Sequence, residues 1–231
     1  MSSLLNLGEY FFEKQDYEKA IKYFLQSAKM KTESDSDKAK SFYYLGKMFK
    51  LGYGVPSNPL IGIEMYKNSA KHGNTDSMFA LGTTYEHGRG TPIDYEQALT
   101  WYTLGSQKGH SGCQINLGCM YDSGVGIAKN QKKAFEQFFL ASEQGDVDAT
   151  YNLATMYQFG EYVEKNQAIA NRLYCQAGQY NLKTRVDSIE LVEKNVLNTC
   201  PRQSDVHKYD LEGTFENWIN DNIVTPQKTV K

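Results

Sequence analysis

The feature that most constrains this chain is an internal repeat, because Leu81 follows Leu45 by 36 positions and the surrounding residues return with it. A leucine, a small residue and an aromatic residue recur at this step without a gap. The three series are Leu45, Leu81, Leu117 and Leu153; Gly46, Gly82, Gly118 and Ala154; and Phe49, Tyr85, Tyr121 and Tyr157. A fixed period of this length is typical of proteins that stack small structural units, so we predict a repeat array.

Each repeat has the pattern of two helices rather than of strands. Leu45 and Phe49 are four residues apart, as are Gly62 and Tyr66, and no strand-like alternation is present. A second glycine series, represented by Gly52 and Gly54, has the chemistry of a helix stop followed by a loop. We therefore predict helical hairpins. The first covers Ala39 to Leu51 and Pro59 to His72, and the next three begin near Thr75, Ser111 and Val147.

The glycine at the middle of each first helix predicts a close helix crossing. Glycine within a helix costs about 1 kcal/mol relative to alanine. Its return at Gly46, Gly82 and Gly118 therefore indicates that a neighbouring helix leaves no room for a side chain.

The chain divides into four parts on this reading. An N-terminal hairpin and linker cover 3–37, with a tight turn at Gln15 and Asp16 because the glycine loop is missing there. Four regular repeats cover 38–181. A capping helix is predicted at 182–198, where apolar residues share one face, and a C-terminal tail follows at 199–231.

Composition and charge exclude several classes of protein. The formal net charge of −2 gives no general attraction to nucleic acid or anionic membranes. We find no apolar run of membrane-spanning length and no secretory signal at the start of the sequence. The cysteines are too few and too irregularly spaced in the sequence for a disulfide framework, so we predict a reducing, cytoplasmic location. They are Cys113, Cys119, Cys175 and Cys200.

No recognised catalytic, cofactor or metal-binding motif is present. The glycine loops lack the lysine of a phosphate-binding loop, and no nucleophile elbow or zinc-binding pattern occurs. Cys113 and Cys119 lie on different sides of one helix, which excludes a disulfide between them, and we interpret both as buried thiols. The histidines stand at helix ends or in the tail, and we assign them structural roles. They are His72, His87, His110 and His207. We predict no enzyme activity, no cofactor and no metal.

The segment from Leu117 to Ile127, followed by Lys133, Ala134 and Phe135, resembles the Sel1-like repeat, a relative of the tetratricopeptide repeat. The resemblance covers 39–181, whereas 3–30 looks like a plain tetratricopeptide hairpin. The last repeat departs from the pattern at Ala154, Tyr162 and Asn181. The resemblance implies an all-α, right-handed superhelical solenoid of antiparallel helix pairs. It also implies an adaptor whose first helices line a concave groove.

The predicted partner-binding surface follows from helix geometry. Residues two positions from the inward leucines point about 200° away from them. Aromatic side chains over polar neighbours favour a peptide or protein partner. The alternative is that the same side chains pack sideways on neighbouring helices. The predicted contact residues are Tyr43, Lys47, Lys50, Phe79, Glu86, His87, Ile115, Asp122, Tyr151, Gln158 and Phe159.

Our functional hypothesis is a non-enzymatic adaptor that binds a protein or peptide, with a monomer favoured, no nucleic acid and no membrane insertion. The alternatives are an RNA-binding helical-repeat protein and a redox- or metal-regulated module. The tail contains Phe215 and Trp218. It is predicted either to fold back onto the groove or to extend the cap.

Overall fold

The computed structural model describes residues 3–184, and its described secondary structure is entirely α-helical. The predicted all-α class is confirmed. The helices are α1 (Leu4–Glu13), α2 (Tyr17–Lys29), α3 (Asp35–Leu51), α4 (Pro59–Lys71), α5 (Thr75–His87), α6 (Tyr95–Gln107), α7 (Ser111–Ser123), α8 (Gln131–Glu143), α9 (Val147–Phe159) and α10 (Gln167–Thr184).

The helices fall into two compact units. The first ends at Asn130 and contains α1 to α7, in which each helix packs against the next along the chain. The second begins at Gln131 and, in its described part, contains α8 to α10, in which α9 packs against both other helices. Odd-numbered helices are the first helices of hairpins and even-numbered helices are the second.

The glycine loops form as predicted. Gly52, which follows α3, has a φ of 78° and its N–H donates to the Met48 carbonyl, which ends the helix. The loop then closes on the same helix, because the Asn58 N–H donates to the Phe49 carbonyl at 2.7 Å. The same two features recur after α5, α7 and α9. In the last loop Tyr162 takes the glycine position with a φ of 63°, so the backbone conformation survives the substitution.

The helix starts that were predicted from the sequence agree with the structure except at α3. The predicted starts at Thr75, Ser111 and Val147 are confirmed. However, α3 begins at Asp35 instead of Ala39, because the Ser34 hydroxyl accepts the Asp37 N–H at 3.0 Å and caps the helix. The polar linker is therefore shorter than predicted.

The predicted close crossing is confirmed at Gly46 and Gly82, where the neighbour is an aromatic ring. A Cβ built on Gly46 would lie 2.5 Å from the Tyr66 ring of α4, and one on Gly8 would lie 2.5 Å from the Phe24 ring of α2. An aromatic ring from the second helix of the same hairpin thus packs directly against each of these glycines.

Buried small residues join successive hairpins in the first unit. The Ser77 hydroxyl of α5 donates to the Ser69 hydroxyl of α4 at 2.7 Å, and both residues are fully buried. At the next junction, Cys113 of α7 takes the place of Ser77. A Cβ on Gly105 of α6 would collide with the Cys113 sulfur. A larger side chain on α7 is therefore matched by the absence of one on α6.

The cysteines differ from one another in their surroundings. Cys113 is buried as predicted, and burial raises the pKa of its thiol to about 12. Cys119 is exposed, so the prediction of a buried thiol is wrong there. Cys175 is buried and disulfide-bonded, which the sequence analysis did not predict. Because isolated disulfides are typical of oxidising compartments, the cysteines no longer support the predicted cytoplasmic location.

The last described helix continues where its counterparts stop. Gly73, Gly109 and Gly145 adopt positive φ after α4, α6 and α8, whereas Asn181 occupies the equivalent position within α10. Residues 182–184 of the predicted capping helix therefore belong to α10. The rest of that predicted helix and the 199–231 tail lie outside the described residues.

Candidate partner-binding surface

In each of the four regular repeats the last residue of the first helix is exposed and stands immediately before a glycine cap. In the first unit these residues are Leu51, His87 and Ser123, which are called the exposed ridge. The equivalent residue in the second unit is Phe159. Leu51 is 54% exposed and Phe159 is 67% exposed, so large apolar side chains reach solvent in both units.

The predicted aromatic contact residues are partly structural. Tyr43 contacts the Tyr66 ring at a centroid distance of 5.9 Å, and Phe79 contacts the Tyr102 ring at 6.3 Å. Both are partly buried against the core of the first unit. In the second unit Tyr151 makes the equivalent contact at 5.0 Å but remains 54% exposed. Of the three, Tyr151 therefore offers the most surface to a partner.

Two predicted polar contact residues bind tyrosines of their own hairpins. The Tyr102 hydroxyl donates to the Glu86 carboxylate at 2.6 Å and accepts from the Asn116 amide of α7 at 2.9 Å. Gln158 accepts from the Tyr174 hydroxyl at 2.6 Å. Burial, as the largest effect, and the Glu86 carboxylate, as the next largest, raise the pKa of Tyr102 well above its ordinary value. The phenol therefore stays protonated and can donate its hydrogen bond to Glu86.

Removing the Tyr102 hydroxyl should therefore lower stability. We expect Tyr102→Phe to reduce the free energy of unfolding by about 1 to 2 kcal/mol, because the Glu86 carboxylate and Asn116 amide lose their common partner. Urea unfolding followed by circular dichroism measures this difference. Tyr95→Phe is the matched control, because the partly exposed Tyr95 hydroxyl makes no hydrogen bond with the described residues. Equal midpoints for the two variants would contradict the structural role of this hydroxyl.

The predicted lysines lie over aromatic rings. The Lys47 ammonium is 5.6 Å from the Phe12 ring centroid and 5.7 Å from the Tyr43 ring centroid. The Lys50 ammonium is 5.9 Å from the Tyr66 ring centroid and donates to the Thr84 hydroxyl of α5. Burial and the nearby positive charge of Arg89 lower the pKa of Lys50.

Ile115 and Asp122, both on α7, are partly buried. One Asp122 carboxylate oxygen is buried and has no hydrogen-bond partner among the described residues. In two other repeats the residue equivalent to Asp122 accepts a hydrogen bond from a tyrosine, Tyr102 or Tyr174. In the repeat of Asp122, the sequence has Phe138 where those two have tyrosine. Phenylalanine has no hydroxyl to donate.

The histidines of the described chain occupy helix ends, as predicted. His110 caps α7, where its Nδ1 accepts the Cys113 N–H at 3.1 Å, and its ring stacks on Phe79 at 5.2 Å. His87 ends α5 on the exposed ridge, and its Nδ1 lies 3.0 Å from the Thr83 carbonyl oxygen. Between residues 3 and 184, no group of histidine, cysteine and acidic side chains could hold a metal ion.

Sequence reasoning missed Arg89 as a surface residue. It lies in the glycine loop after α5, is exposed, and acts electrostatically on Lys50. A charged residue between two loop glycines, Gly88 and Gly90, was the available signal. The distance to a lysine on the preceding hairpin could not be obtained from the repeat period.

The described helices are too short or too polar to cross a membrane. The model of the Sel1 repeat matches residues 2–31, 39–74, 75–110, 111–146 and 147–179. The chain belongs to the Sel1 repeat family. The match at 2–31 extends the family pattern to the N-terminal hairpin, which the sequence analysis placed with plain tetratricopeptide hairpins.

Two solved Sel1 repeat structures are similar to this family member. A Sel1 repeat protein from Oxalobacter formigenes is 22% identical, with a TM-score of 0.67, over 76% of this chain and 69% of that one. The protective antigen c5321 of uropathogenic Escherichia coli is 27% identical, with a TM-score of 0.70, over 77% of this chain. The match spans 38% of the antigen, well under half its length. No curated protein matches the chain in sequence. These similarities show the solenoid fold of helix pairs.

Proposed function

We propose that this Sel1 repeat protein is a non-enzymatic adaptor that binds a protein or peptide segment on the exposed side of its first helices. Sel1 repeats in general serve as protein-interaction scaffolds. The observation that carries the proposal is the pair of exposed aromatic residues on α9, Tyr151 and Phe159. Leu153, Met156 and Tyr157 of the same helix are buried, so Tyr151 and Phe159 are the aromatic side chains that α9 presents to solvent.

Exposed aromatic side chains are favourable anchors for a protein partner. They offer a large contact area and lose little conformational entropy on binding. Tyr151 is restrained by the Tyr174 ring, which in turn is held by its hydrogen bond to Gln158. This restraint reduces the entropy cost of ordering Tyr151 when a partner binds.

The proposal is tested by changing exposed residues only, so that the core is left intact. In Tyr151→Ser/Phe159→Ser, we expect the affinity for the partner to fall at least about tenfold, since two anchors at about 1 kcal/mol or more each are removed. Proximity labelling with the intact protein and the variant identifies candidate partners. Binding of a purified candidate then measures the loss.

A matched control removes exposed apolar residues from second helices. Leu60→Ser/Leu140→Ser changes side chains that are 69% and 42% exposed on α4 and α8. We expect this control to keep the partner. If control and variant lose the same partner equally, or neither loses any, binding does not use the first helices and the proposal is wrong.

A further inference from the structure

We propose that Lys47, Lys50 and Arg89 form a binding site for the side-chain carboxylates of an acidic segment in the partner, an inference that rests on the proposed adaptor function. These residues lie on α3 and on the loop after α5, within the first unit. They are called the basic cluster.

The basic cluster carries positive charge that the protein does not neutralise. Neither lysine, nor Arg89, forms an ion pair with any described residue. Lys50 contacts the Tyr66 ring and a neutral hydroxyl instead. A half-buried ammonium with no carboxylate partner attracts an incoming anion more strongly than a fully hydrated one does.

The two lysines are held in place before any ligand arrives. The Thr84 hydroxyl donates to the Ala80 carbonyl at 2.6 Å, so its oxygen is fixed as an acceptor for Lys50. An ammonium has three donors, and the others remain for a ligand. Lys47 is held over a ring of α1 and a ring of α3 and lies one helical turn from Lys50, which reaches α5, so the two side chains leave neighbouring positions on the surface of α3.

The surroundings favour discrete carboxylates over a nucleic-acid backbone. Lys47 lies over the Tyr43 ring, and acidic groups act electrostatically on this tyrosine and on its neighbour: Asp76 on Tyr43 and Glu9 on Tyr44. A continuous line of phosphates would meet these acidic groups, whereas acidic side chains separated by apolar residues can avoid them. Leu51, which directly follows Lys50 and is exposed, provides apolar surface for such spacers.

The test uses a fluorescent peptide in which glutamates alternate with phenylalanine, its glutamine counterpart, and a single-stranded RNA. The cluster variant is Lys47→Gln/Lys50→Gln/Arg89→Gln. The control variant, Lys22→Gln/Lys29→Gln/Lys71→Gln, removes the same charge from exposed lysines on second helices. We expect the cluster variant to bind the glutamate peptide about thirtyfold more weakly than the intact protein, and the control variant to bind it unchanged.

Salt titration of the intact protein gives a readout that needs no variant. Binding of the glutamate peptide should weaken about tenfold between low and high salt, because exposed charge contacts are screened. The inference is overturned if the glutamine peptide binds as well, if the cluster and control variants behave alike, if RNA is preferred, or if no glutamate peptide binds the intact protein.

These outcomes are separate from the test of the adaptor function. A partner that is lost from Tyr151→Ser/Phe159→Ser but retained by the cluster variant would leave the adaptor function standing and overturn the carboxylate site. A glutamate peptide that binds as expected, with no partner lost from Tyr151→Ser/Phe159→Ser, would support the basic cluster. The same result would contradict the proposed role of α9 in binding the partner.

Discussion

Gly82→Ala should lower the free energy of unfolding by about 2 to 3 kcal/mol, although alanine is the better helix former. The added Cβ would lie 2.5 Å from Cδ1 of the Tyr102 ring. That ring is fully buried, and its hydroxyl is hydrogen-bonded to both Glu86 and Asn116. The ring therefore cannot move aside without breaking these hydrogen bonds. Urea unfolding followed by circular dichroism measures the loss.

Gly178→Ala is the matched control, because this glycine lies within α10 and a Cβ there would meet no atom of the described residues within 4 Å. We expect it to raise stability by about 1 kcal/mol through helix propensity alone. The same substitution should thus act in opposite directions at the two positions. Destabilisation of both variants, or of neither, would show that the ring contact does not decide the role of Gly82. The last repeat agrees with the expectation, since Ala154 replaces the glycine and Tyr174 is only partly buried.

Phe24→Ala should cost about 3 to 5 kcal/mol, the usual range for removing a buried phenylalanine. Phe24 is fully buried in the core formed by α1, α2 and α3, where it stacks on Tyr44 at 4.7 Å. Gly8 faces the ring and has no side chain that could fill the cavity. The loss should be concentrated in the N-terminal hairpin, because each repeat is stabilised mainly by its neighbours.

Hydrogen exchange read by mass spectrometry locates this effect. In Phe24→Ala, we expect amides of α1 and α2 to exchange faster, while those of α5 and α6 keep their protection. Tyr10→Ala serves as the control, since that side chain is 53% exposed and its removal should change stability by less than about 1 kcal/mol. Faster exchange throughout the first unit would instead show that its hairpins unfold together.

Much of the fold could be predicted because the repeated residues indicate the backbone conformation at their own positions. The glycine pairs predicted the loops, since only a few residue types readily adopt positive φ, and the starts of α5, α7 and α9 followed from the period. The early start of α3 was missed because its cap, Ser34, lies in the polar linker before the first regular repeat.

The candidate surface was harder to predict because the same helical positions serve packing and binding. Helix geometry predicted that Tyr43 and Glu86 point outward, but each contacts a tyrosine on the second helix of its own hairpin. Arg89 was missed because its proximity to Lys50 depends on how two hairpins pack. A one-dimensional period describes each hairpin well and carries no information on distances between hairpins.

The matched small residues between hairpins affect how such a chain can lengthen during evolution. A tandem copy of residues 75–110 would place a second Ser77 against Gly105, where Cys113 now lies. The new serine would find neither the hydroxyl that Ser69 supplies to Ser77 nor enough bulk to fill the space of the sulfur. After a whole repeat is duplicated, we therefore expect a substitution on one helix of the new junction to be accompanied by a compensating substitution on the facing helix. Residues of neighbouring repeats that meet at a junction should thus change together.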